Sequence, residues 1–494
     1  MAELMEAVVE SGMRIPYIKV DNPPRGGMKH TYFAPDKSYV VQFFNDPEME
    51  RDPNLVSRLR AITGRYNPTR SEDKGGSIGT DDRTAAYFAK LFCWPTALVV
   101  APRLGIVCPA YGEEFFFTEK SSYEYNLAGV DKRSTWFTTK RRALLARDEL
   151  GDFAAMLDCS IALARAVRRM HQAGLAHSDL SMNNVLIDPK TGRSVVIDID
   201  TLVVPGIYPP EVIGTRGYIA PEVLIGLRKP RGDPGRVAPS ALTDLHALAV
   251  LIYEYLLRRH PLAGPKPHAS APGTDEEREY LMFGPEALYI EHPSDRSNRP
   301  CDLKTEARDL GPALEKLFLR AFVEGLRDPE ARPTALEWER ALEETKEMIW
   351  PCRNLACDRK WFILHDPQRP VCPFCGKSAR GQELLELSFY QEQRGARGQW
   401  LKVRKTNVWH QRVLYPWHVY GNLHPNEKTE PVVQAEVVKV NGRWALLNRE
   451  ADNMRSPDGR LLPKGSRAFL SDRSRFLASR GEKGMMVEVS IRPL

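Results

Sequence analysis

The chain has 494 residues, of which 42% are hydrophobic, and a formal net charge of +6 at pH 7. This length exceeds that of most single domains, so we expect more than one. The basic residues are scattered, with short clusters at 140–142 and 228–231, which does not support nucleic-acid binding. The first ten residues include acidic residues where a signal peptide is basic, and the longest apolar stretch, 246–257, is too short to span a bilayer. We therefore predict a cytoplasmic protein that does not enter membranes.

The N-terminal region has the patterns of strands and turns. Runs at 15–20, 28–33 and 39–44 predict three strands, and Gly26 and Gly27 lie between the first two. A candidate helix follows at 54–66, a polar loop rich in Gly, Ser and Asp at 65–83, and a hairpin at 97–108.

The central region places three hard ligands in a fixed order. Apolar residues at helical spacing over 144–173 predict an amphipathic helical hairpin that leads into the run 175–187. In that run Asp179 stands five residues before Asn184, and Asp198 follows at hairpin distance. Phosphoryl transfer requires a protein to hold an acceptor hydroxyl, ATP and a divalent cation in line. Asp179 would accept or orient the hydroxyl proton, while oxygens of Asn184 and Asp198 would bind Mg²⁺ or Mn²⁺.

Each of these motifs alone is weak, because His-x-Asp occurs by chance and an aspartate near a helix end is commonly a cap. Their order is more specific, since an Ala-Pro-Glu motif at 220–222, Asp244 in an apolar helix and Arg332 follow. On these residues the chain resembles the protein kinase superfamily. The resemblance implies that Asp244 braces the catalytic loop and that Arg332 pairs with Glu222. It also implies an α+β bilobal fold for a kinase-like domain at 13–348, with its N-lobe at 13–111 and its C-lobe at 112–348.

The same resemblance implies an ATP site between the lobes. Adenine would dock on the hinge backbone around Cys108, Ala110 and Tyr111. Gly26 and Gly27 would cover the phosphates, although they lack the full spaced-glycine signature.

The lysine that holds the phosphates in a typical kinase is missing from its usual strand. Gln42, a neutral amide, stands at that position. We interpret Lys29, two residues past Gly27, as its replacement, and the alternative is an ordinary surface lysine. The candidate helix 54–66 contains no glutamate to pair with a lysine.

Other departures concern regulation and substrate. Ser178 replaces the arginine that reads a phosphorylated activation loop, which predicts activity without loop phosphorylation. Asp200 replaces the glycine of Asp-Phe-Gly, and we expect it to face solvent. Thr215 and Tyr218 are candidate autophosphorylation sites. Ser181, where Ser/Thr kinases usually carry lysine, leaves phosphorylation of a small molecule open.

Four of the eight cysteines are clustered, whereas Cys93, Cys108, Cys159 and Cys301 are isolated. Two close pairs, separated by fourteen residues, predict one tetrahedral structural Zn²⁺ site in a zinc ribbon over 349–382, with Gly376 in the tight turn. The alternative, disulfides, does not fit a cytosolic chain. The predicted zinc ligands are Cys352, Cys357, Cys372 and Cys375.

Residues 383–494 contain short strand patterns at regular spacing, which predict a β-sandwich. The run 442–448 and the glycines after it resemble the second half of a forkhead-associated domain. The Ser-x-x-His element of such domains is not recognisable, so we predict a degenerate docking module with Asn453 as the loop residue to test.

The combination of kinase-like unit and ribbon resembles atypical bacterial kinases of the tellurite-resistance-associated class. This resemblance implies a von Willebrand A-domain protein and a PP2C-type phosphatase as partners. The predicted function is an ATP- and Mg²⁺-dependent Ser/Thr-type protein kinase that phosphorylates a protein substrate in bacterial signalling. A pseudokinase scaffold, which Gln42 favours, is the alternative.

Overall fold

The computed structural model describes the chain except residues 1, 25–28, 200–201, 203, 205–206, 208–213, 231, 267–272, 394–395, 397 and 481–482. The chain divides into two units. The first comprises Met1–Gly151, Ala155–Leu303 and Lys316–Glu339, and the second comprises Asp152–Ala154, Lys304–Glu315 and Arg340–Leu494. The candidate phosphotransfer residues therefore belong to the first unit and the clustered cysteines to the second.

Six of the described strands form an antiparallel sheet in the first unit, in the order β2-β1-β5-β6-β4-β3. Their bounds are Glu3–Val9 (β1), Arg14–Lys19 (β2), Lys29–Phe33 (β3), Tyr39–Phe44 (β4), Ala97–Ala101 (β5) and Gly105–Pro109 (β6). Strands β2 to β6 lie where the patterns predict them. No sequence pattern predicts β1, yet its residues Ala7 and Val9 are buried in the hydrophobic core of this sheet.

Two helices accompany this sheet. Helix α1 (Pro53–Thr63) corresponds to the candidate helix, and its N-cap Asp52 accepts the Asn54 backbone N–H at 2.8 Å. Helix α2 (Asp82–Phe88) begins inside the segment predicted as a loop and is capped in the same way by Asp81. A carboxylate at the N-cap satisfies a helix N–H that has no partner in the helix.

The rest of the first unit is mainly helical. The bounds of the helices are Thr135–Thr138 (α3), Phe153–Gln172 (α4), Pro221–Leu227 (α5), Ala241–Leu257 (α6), Asp275–Phe283 (α7), Pro312–Leu319 (α8) and Ala335–Glu347 (α9). Three of them, α4, α8 and α9, are divided between the two units, because residues 153–154, 312–315 and 340–347 belong to the second. The helical hairpin predicted over 144–173 is wrong, because short 3₁₀ turns precede a single helix, α4, which begins only at Phe153. Helix α6 is buried from Thr243 to Leu257, so it forms the centre of the helical part. Within the described ranges, we find no helix long and apolar enough to cross a membrane.

A two-stranded hairpin carries the candidate metal-binding residues. Strands β7 (Val185–Asp188) and β8 (Arg193–Val196) pair antiparallel. Asn184 immediately precedes β7, and Asp198 follows β8 by two residues. The hairpin therefore returns the chain to the level of the loop that contains Asp179.

The second unit also contains the remaining described strands and a further short helix. Their bounds are Ile349–Pro351 (β9), Trp361–Ile363 (β10), Glu383–Glu392 (β11), Trp400–Val408 (β12), Arg412–Leu414 (β13), Pro416–Val419 (α10), Ala435–Val440 (β14), Arg443–Asn448 (β15), Arg467–Phe469 (β16), Arg475–Leu477 (β17) and Met485–Pro493 (β18). Among them, β9 and β10 pair with each other, and two four-stranded sheets have the orders β12-β11-β18-β17 and β13-β14-β15-β16. Leu387 and Val487 from one sheet and Val437 and Leu446 from the other belong to a single hydrophobic cluster.

Candidate active site

Asp244, on helix α6, holds the backbone of the loop that carries Asp179. The backbone N–H groups of His177 and Ser178 donate to the Asp244 carboxylate at 2.7 and 3.2 Å. The His177 ring Nε2 lies 3.0 Å from the carbonyl oxygen of Ile197. Ser178 has φ 65°, a left-handed conformation that a non-glycine residue adopts only when its surroundings hold it there. The predicted bracing role of Asp244 is confirmed.

The Asp179 carboxylate is held from two sides. The Asn184 amide nitrogen donates to Asp179 Oδ2 at 2.9 Å and to the Asp179 carbonyl oxygen at 2.8 Å. The Thr215 hydroxyl donates to the other carboxylate oxygen, Oδ1, at 2.7 Å. Sequence analysis predicts the proximity of Asp179 and Asn184 but misses the Thr215 contact, because no pattern links residues 36 positions apart.

Lys29 and Asp198 meet between the sheet and the helical part of the first unit. The Lys29 Nζ lies 3.6 Å from Asp198 Oδ1, and the exposed fractions of their side chains are 8% and 41%. Lys29 pairs with Phe44 at the end of the β3-β4 hairpin. Asp198 has φ 58°, and the preceding residue, Ile197, donates its N–H to the Asn184 carbonyl at 3.0 Å. These contacts bring the three predicted acidic and amide residues and Lys29 to one place.

The neutral side chain of Gln42 is used in a hydrogen bond within the sheet. Its amide nitrogen donates to the Thr31 hydroxyl at 3.1 Å across the β3-β4 pair. Because a carboxamide carries no positive charge, Gln42 does not supply the charge that Lys29 brings to Asp198. The predicted phosphate-covering residues Gly26 and Gly27 lie outside the described residues.

The candidate hinge has its own internal contacts. Cys108 is buried on β6, and the Ala110 N–H donates to the Ser38 carbonyl at 3.1 Å. The Tyr111 hydroxyl donates to Asp131 at 2.7 Å, and burial, followed by the Asp131 charge, raises the Tyr111 pKa. The Ala110 amide is therefore engaged within the chain, and adenine docking on this backbone stays a prediction.

Tyr218 is not available for phosphorylation in this conformation. Its side chain is 4% exposed, and its hydroxyl donates to the Glu254 carboxylate on helix α6. Burial raises the pKa of Glu254 to about 7, although the Tyr218 hydrogen bond opposes this shift. Thr215, the other candidate phosphorylation site, has its hydroxyl on Asp179. Both hydroxyls therefore have structural contacts in this conformation, and their autophosphorylation stays a prediction.

The predicted pair between Glu222 and Arg332 is confirmed. Two guanidinium nitrogens of Arg332 donate to the two carboxylate oxygens of Glu222 at 2.8 and 2.7 Å. The same guanidinium donates to the carbonyl oxygens of Gly325 and Leu242. Arg332 is 2% exposed, so this bidentate pair ties the Ala-Pro-Glu motif into the interior of the first unit.

The four predicted zinc ligands lie together in the second unit. Their Sγ atoms all lie within 4.8 Å of one another, and the Sγ atoms of Cys352 and Cys375 are 3.5 Å apart. A tetrahedral site with Zn–S bonds of about 2.3 Å separates its sulfur atoms by about 3.8 Å. The cluster therefore fits one tetrahedral ion. The cluster consists of Cys352, Cys357, Cys372 and Cys375.

Asn453, the loop residue predicted for the β-rich region, is exposed and has φ 55°. Its carbonyl oxygen accepts the Arg480 backbone N–H at 3.2 Å. Asn448, by contrast, is 1% exposed and uses its side chain on the backbone of Ala451 and Leu462. Asn453 therefore lies on the surface, whereas Asn448 has an internal structural role.

Residues 134–338 match the family model described as the protein kinase domain. This range contains Asp179, Asn184, Asp198, Glu222 and Arg332 and leaves out the six-stranded sheet. The part of the chain that carries the ordered motifs is therefore the part that the family model recognises.

Curated proteins that are similar to the chain are Ser/Thr kinases by name. A probable serine/threonine-protein kinase of Corynebacterium efficiens is 27% identical over 192 residues, which are 34% of this chain and 27% of that protein. The kinase PkaB of Streptomyces coelicolor is 32% identical over 127 residues, 24% of this chain and 27% of that protein. PknA of Mycobacterium tuberculosis is 32% identical over 112 residues, 22% of this chain and 23% of that protein. The chain thus spans under a third of the length of these relatives.

Solved structures with some likeness include a rhoptry antigen kinase domain of Toxoplasma gondii. The match has 16% identity and a TM-score of 0.40, and it covers 69% of this chain and 86% of that one. A second rhoptry kinase from the same organism has 15% identity and a TM-score of 0.41, with 70% and 83% covered.

Proposed function

We propose that the chain is an ATP- and Mg²⁺-dependent kinase that phosphorylates serine or threonine hydroxyls of a protein substrate, with residues 134–338, which match the protein kinase domain model, in the catalytic role. The observation that carries this proposal is the arrangement around Asp179. Its carboxylate is fixed by Asn184 and Thr215, while Asp198 stands beside Lys29. In the transfer, the acceptor oxygen forms a bond to the γ-phosphorus as the bond to the β,γ-bridging oxygen breaks, and ADP leaves.

Asp179 receives or orients the proton of the acceptor hydroxyl. Hydrogen bonds to both of its oxygens keep the carboxylate in one orientation, which reduces the entropic cost of aligning the hydroxyl. Thr215 lies near the end of the activation segment (203–217), and its hydrogen bond positions residues 214–217 together with the base.

Asn184 and Asp198 are the candidate Mg²⁺ ligands. The amide nitrogen of Asn184 is used on Asp179, so its oxygen is the atom that suits a cation, and Asp198 contributes a carboxylate that is 41% exposed. A carboxamide oxygen and a carboxylate are hard donors of the kind that Mg²⁺ prefers. Bound Mg²⁺ would neutralise charge on the phosphates. Lys29, which is 8% exposed, adds a positive charge at the same place.

A radiolabelled ATP assay tests this proposal. We expect Asp179→Ala and Asp198→Ala each to lower phosphate transfer by at least about 10²-fold, because each removes a group that acts on the reacting atoms. Asp148→Ala, at an exposed aspartate outside the site, is the matched control and should retain wild-type transfer. Equal low background in all four proteins would contradict the proposal.

The second candidate function is a pseudokinase scaffold, and Gln42 is the observation that favours it. If Lys29 does not hold phosphates, the domain would bind nucleotide without transferring phosphate. Nucleotide-dependent thermal stabilisation without any transfer in the same assay would identify this function.

For the second unit, we propose a structural zinc ribbon at 349–382 and a degenerate forkhead-associated-like β-sandwich module at 383–494. The sulfur cluster supports the ribbon, and the two sheets with one shared hydrophobic cluster support the sandwich. A docking role of this module, a cytoplasmic location, and partnership with a von Willebrand A-domain protein and a PP2C-type phosphatase belong to the same proposal. Their support is the resemblance alone.

A further inference from the structure

The activation segment of this chain lacks the usual phosphate anchor. Ser178 occupies the position at which regulated kinases carry an arginine for a phosphorylated segment, and serine has no charge with which to bind phosphate. The segment nevertheless reaches the base through Thr215. Some other contact must therefore hold the residues around Thr215 in place.

Arg216, the next residue along the segment, contacts two carboxylates of helix α7. Its Nη2 lies 2.9 Å from Glu276 Oε1, and its Nη1 lies 3.2 Å from Glu279 Oε2. Residues three positions apart lie on one face of a helix, so both carboxylates reach the same guanidinium. No sequence pattern predicts helix α7.

Helix α7 is itself attached to its neighbours in the first unit. The guanidinium of Arg228, just after helix α5, lies 3.9 Å from the centre of the Tyr280 ring. The rings of Phe283 and His260 are 4.9 Å apart, and His260 Nε2 lies 2.8 Å from the Gly217 carbonyl oxygen. Gly217 has φ 84°, which suits glycine at this point of the segment.

We propose that Arg216, Glu276 and Glu279 form a latch that keeps Thr215 on Asp179 and so positions residues 214–217 for substrate binding without phosphorylation. These three are positioning residues, because they act through Thr215 and do not touch the reacting atoms. The charges are reversed relative to a phosphorylated loop, since the segment carries the cation and the helix carries the anions. This inference rests on the proposed kinase function.

The latch has a distinct electrostatic signature. The exposed side-chain fractions are 61% for Arg216, 73% for Glu276 and 41% for Glu279. Exposed ion pairs are weakened by salt. We therefore expect rising ionic strength to increase the KM for a protein acceptor, while slow hydrolysis of ATP to water, which needs no acceptor, stays constant.

Charge exchange tests the latch in the full chain. Arg216→Glu should raise the acceptor KM about tenfold and leave the ATP KM unchanged, because it converts two attractions into repulsions. Glu276→Arg/Glu279→Arg should do the same, and combining all three substitutions should return KM to within about twofold of wild type. Glu315→Arg/Glu344→Arg, on helices α8 and α9, changes the same charge elsewhere and should leave KM unchanged.

Two acceptors of opposite charge separate a latch from simple attraction of substrate. Casein is acidic and myelin basic protein is basic, so an effect of surface charge on acceptor binding would change the two KM values in opposite directions. A latch predicts that Arg216→Glu raises both values. Opposite changes would overturn the inference.

Hydrogen exchange gives a readout that does not need activity. Amides of residues 214–220 should exchange faster in Arg216→Glu and in Glu276→Arg/Glu279→Arg, and slowly again in the charge-exchanged triple variant. Unchanged exchange and unchanged KM in an active enzyme would overturn the latch and leave the kinase proposal standing. Absence of phosphate transfer by the wild-type chain would overturn the kinase proposal. Hydrogen exchange would still decide whether the Arg216 ion pairs hold residues 214–220 in place.

Discussion

The cysteine cluster and the candidate active site are built over very different sequence distances. All four clustered cysteines lie between 352 and 375, whereas the candidate active site joins Lys29 to Asp198 and Thr215 to Asp179. Short spacing restricts where cysteine side chains can go, so the pattern alone brings them together. The active site depends on a sheet, a hairpin and a helical core that must first meet.

Local turns explain the convergence of the cysteines. The Cys352 N–H donates to the Lys360 carbonyl at 2.7 Å, and the Gly376 N–H donates to the Cys372 carbonyl at 2.8 Å. Gly376 has φ 74°, as expected for the predicted tight turn. Neither turn needs a residue from far away in the sequence, which is the opposite of the situation at Asp179.

The largest effect is expected at the cysteine cluster, where loss of one ligand should unfold the surrounding segment. Cys372→Ser, or a strong chelator, should remove zinc and unfold residues 349–382, since structural zinc contributes about 10 kcal/mol of apparent free energy in small sites. Elemental analysis of bound zinc and hydrogen exchange of this segment measure the result. Cys301→Ser, at an exposed isolated cysteine, should keep one zinc per chain. A wild-type chain that is free of zinc yet protected from exchange would contradict the prediction.

The next largest effect is expected when the long-range ion pair between Arg332 and Glu222 in the first unit is broken. Arg332→Met should lower the free energy of unfolding by about 3–5 kcal/mol, because it leaves the partly buried Glu222 carboxylate without its cation. The double variant Arg332→Met/Glu222→Gln should recover part of this loss. Urea unfolding of the first unit, followed by fluorescence, measures both. Equal stability of the single variant and wild type would show that this pair does not hold the unit together.

A smaller effect tests which residue carries the charge at the phosphates. Lys29→Met should lower kcat/KM for ATP about 10²-fold, because it removes the cation beside Asp198. Gln42→Met is the matched control on the neighbouring strand and should change kcat/KM for ATP less than about fivefold, since the Gln42 amide contacts two neutral groups, the Thr31 hydroxyl and the Cys108 thiol. A larger loss with Gln42→Met than with Lys29→Met would reverse the assignment.

The smallest effect concerns pH. Glu254 has its pKa raised by burial to about 7, so its protonated form is favoured in the folded state. The stabilising contribution is complete below the ordinary pKa of about 4.5 and is lost as pH rises through about 7. Glu254→Gln keeps a polar partner for Tyr218 but does not titrate. It should therefore remove the part of the fall in Tm from about pH 5 to about pH 8 that comes from Glu254. An unchanged slope would mean that Glu254 does not titrate in this range.

Some elements follow from sequence patterns because their causes are local. The strand at 39–44 is apolar or aromatic at every position except Gln42, and four of its six residues are buried. Helix α1 begins at Pro53, one residue before its predicted start, with Asp52 as its N-cap. The strand at Glu3–Val9 is not predicted, because its acidic residues suggest an exposed terminus, and its inner side chains are buried by the packing of the whole sheet. Helix α7 is missed for a similar reason, since punctuation by Pro and Gly hides a short capped helix.

The amino-acid order by itself determined the chemistry that is possible here: a base, an amide and a carboxylate at kinase spacing, and four thiols in two close pairs. These are determined by sequence because neighbouring residues remain near each other in any fold. Only the tertiary structure decided that Lys29 stands beside Asp198, that Thr215 rests on Asp179 and that Arg216 reaches helix α7. Those contacts join segments far apart in the chain, and their distances are set by how the core packs.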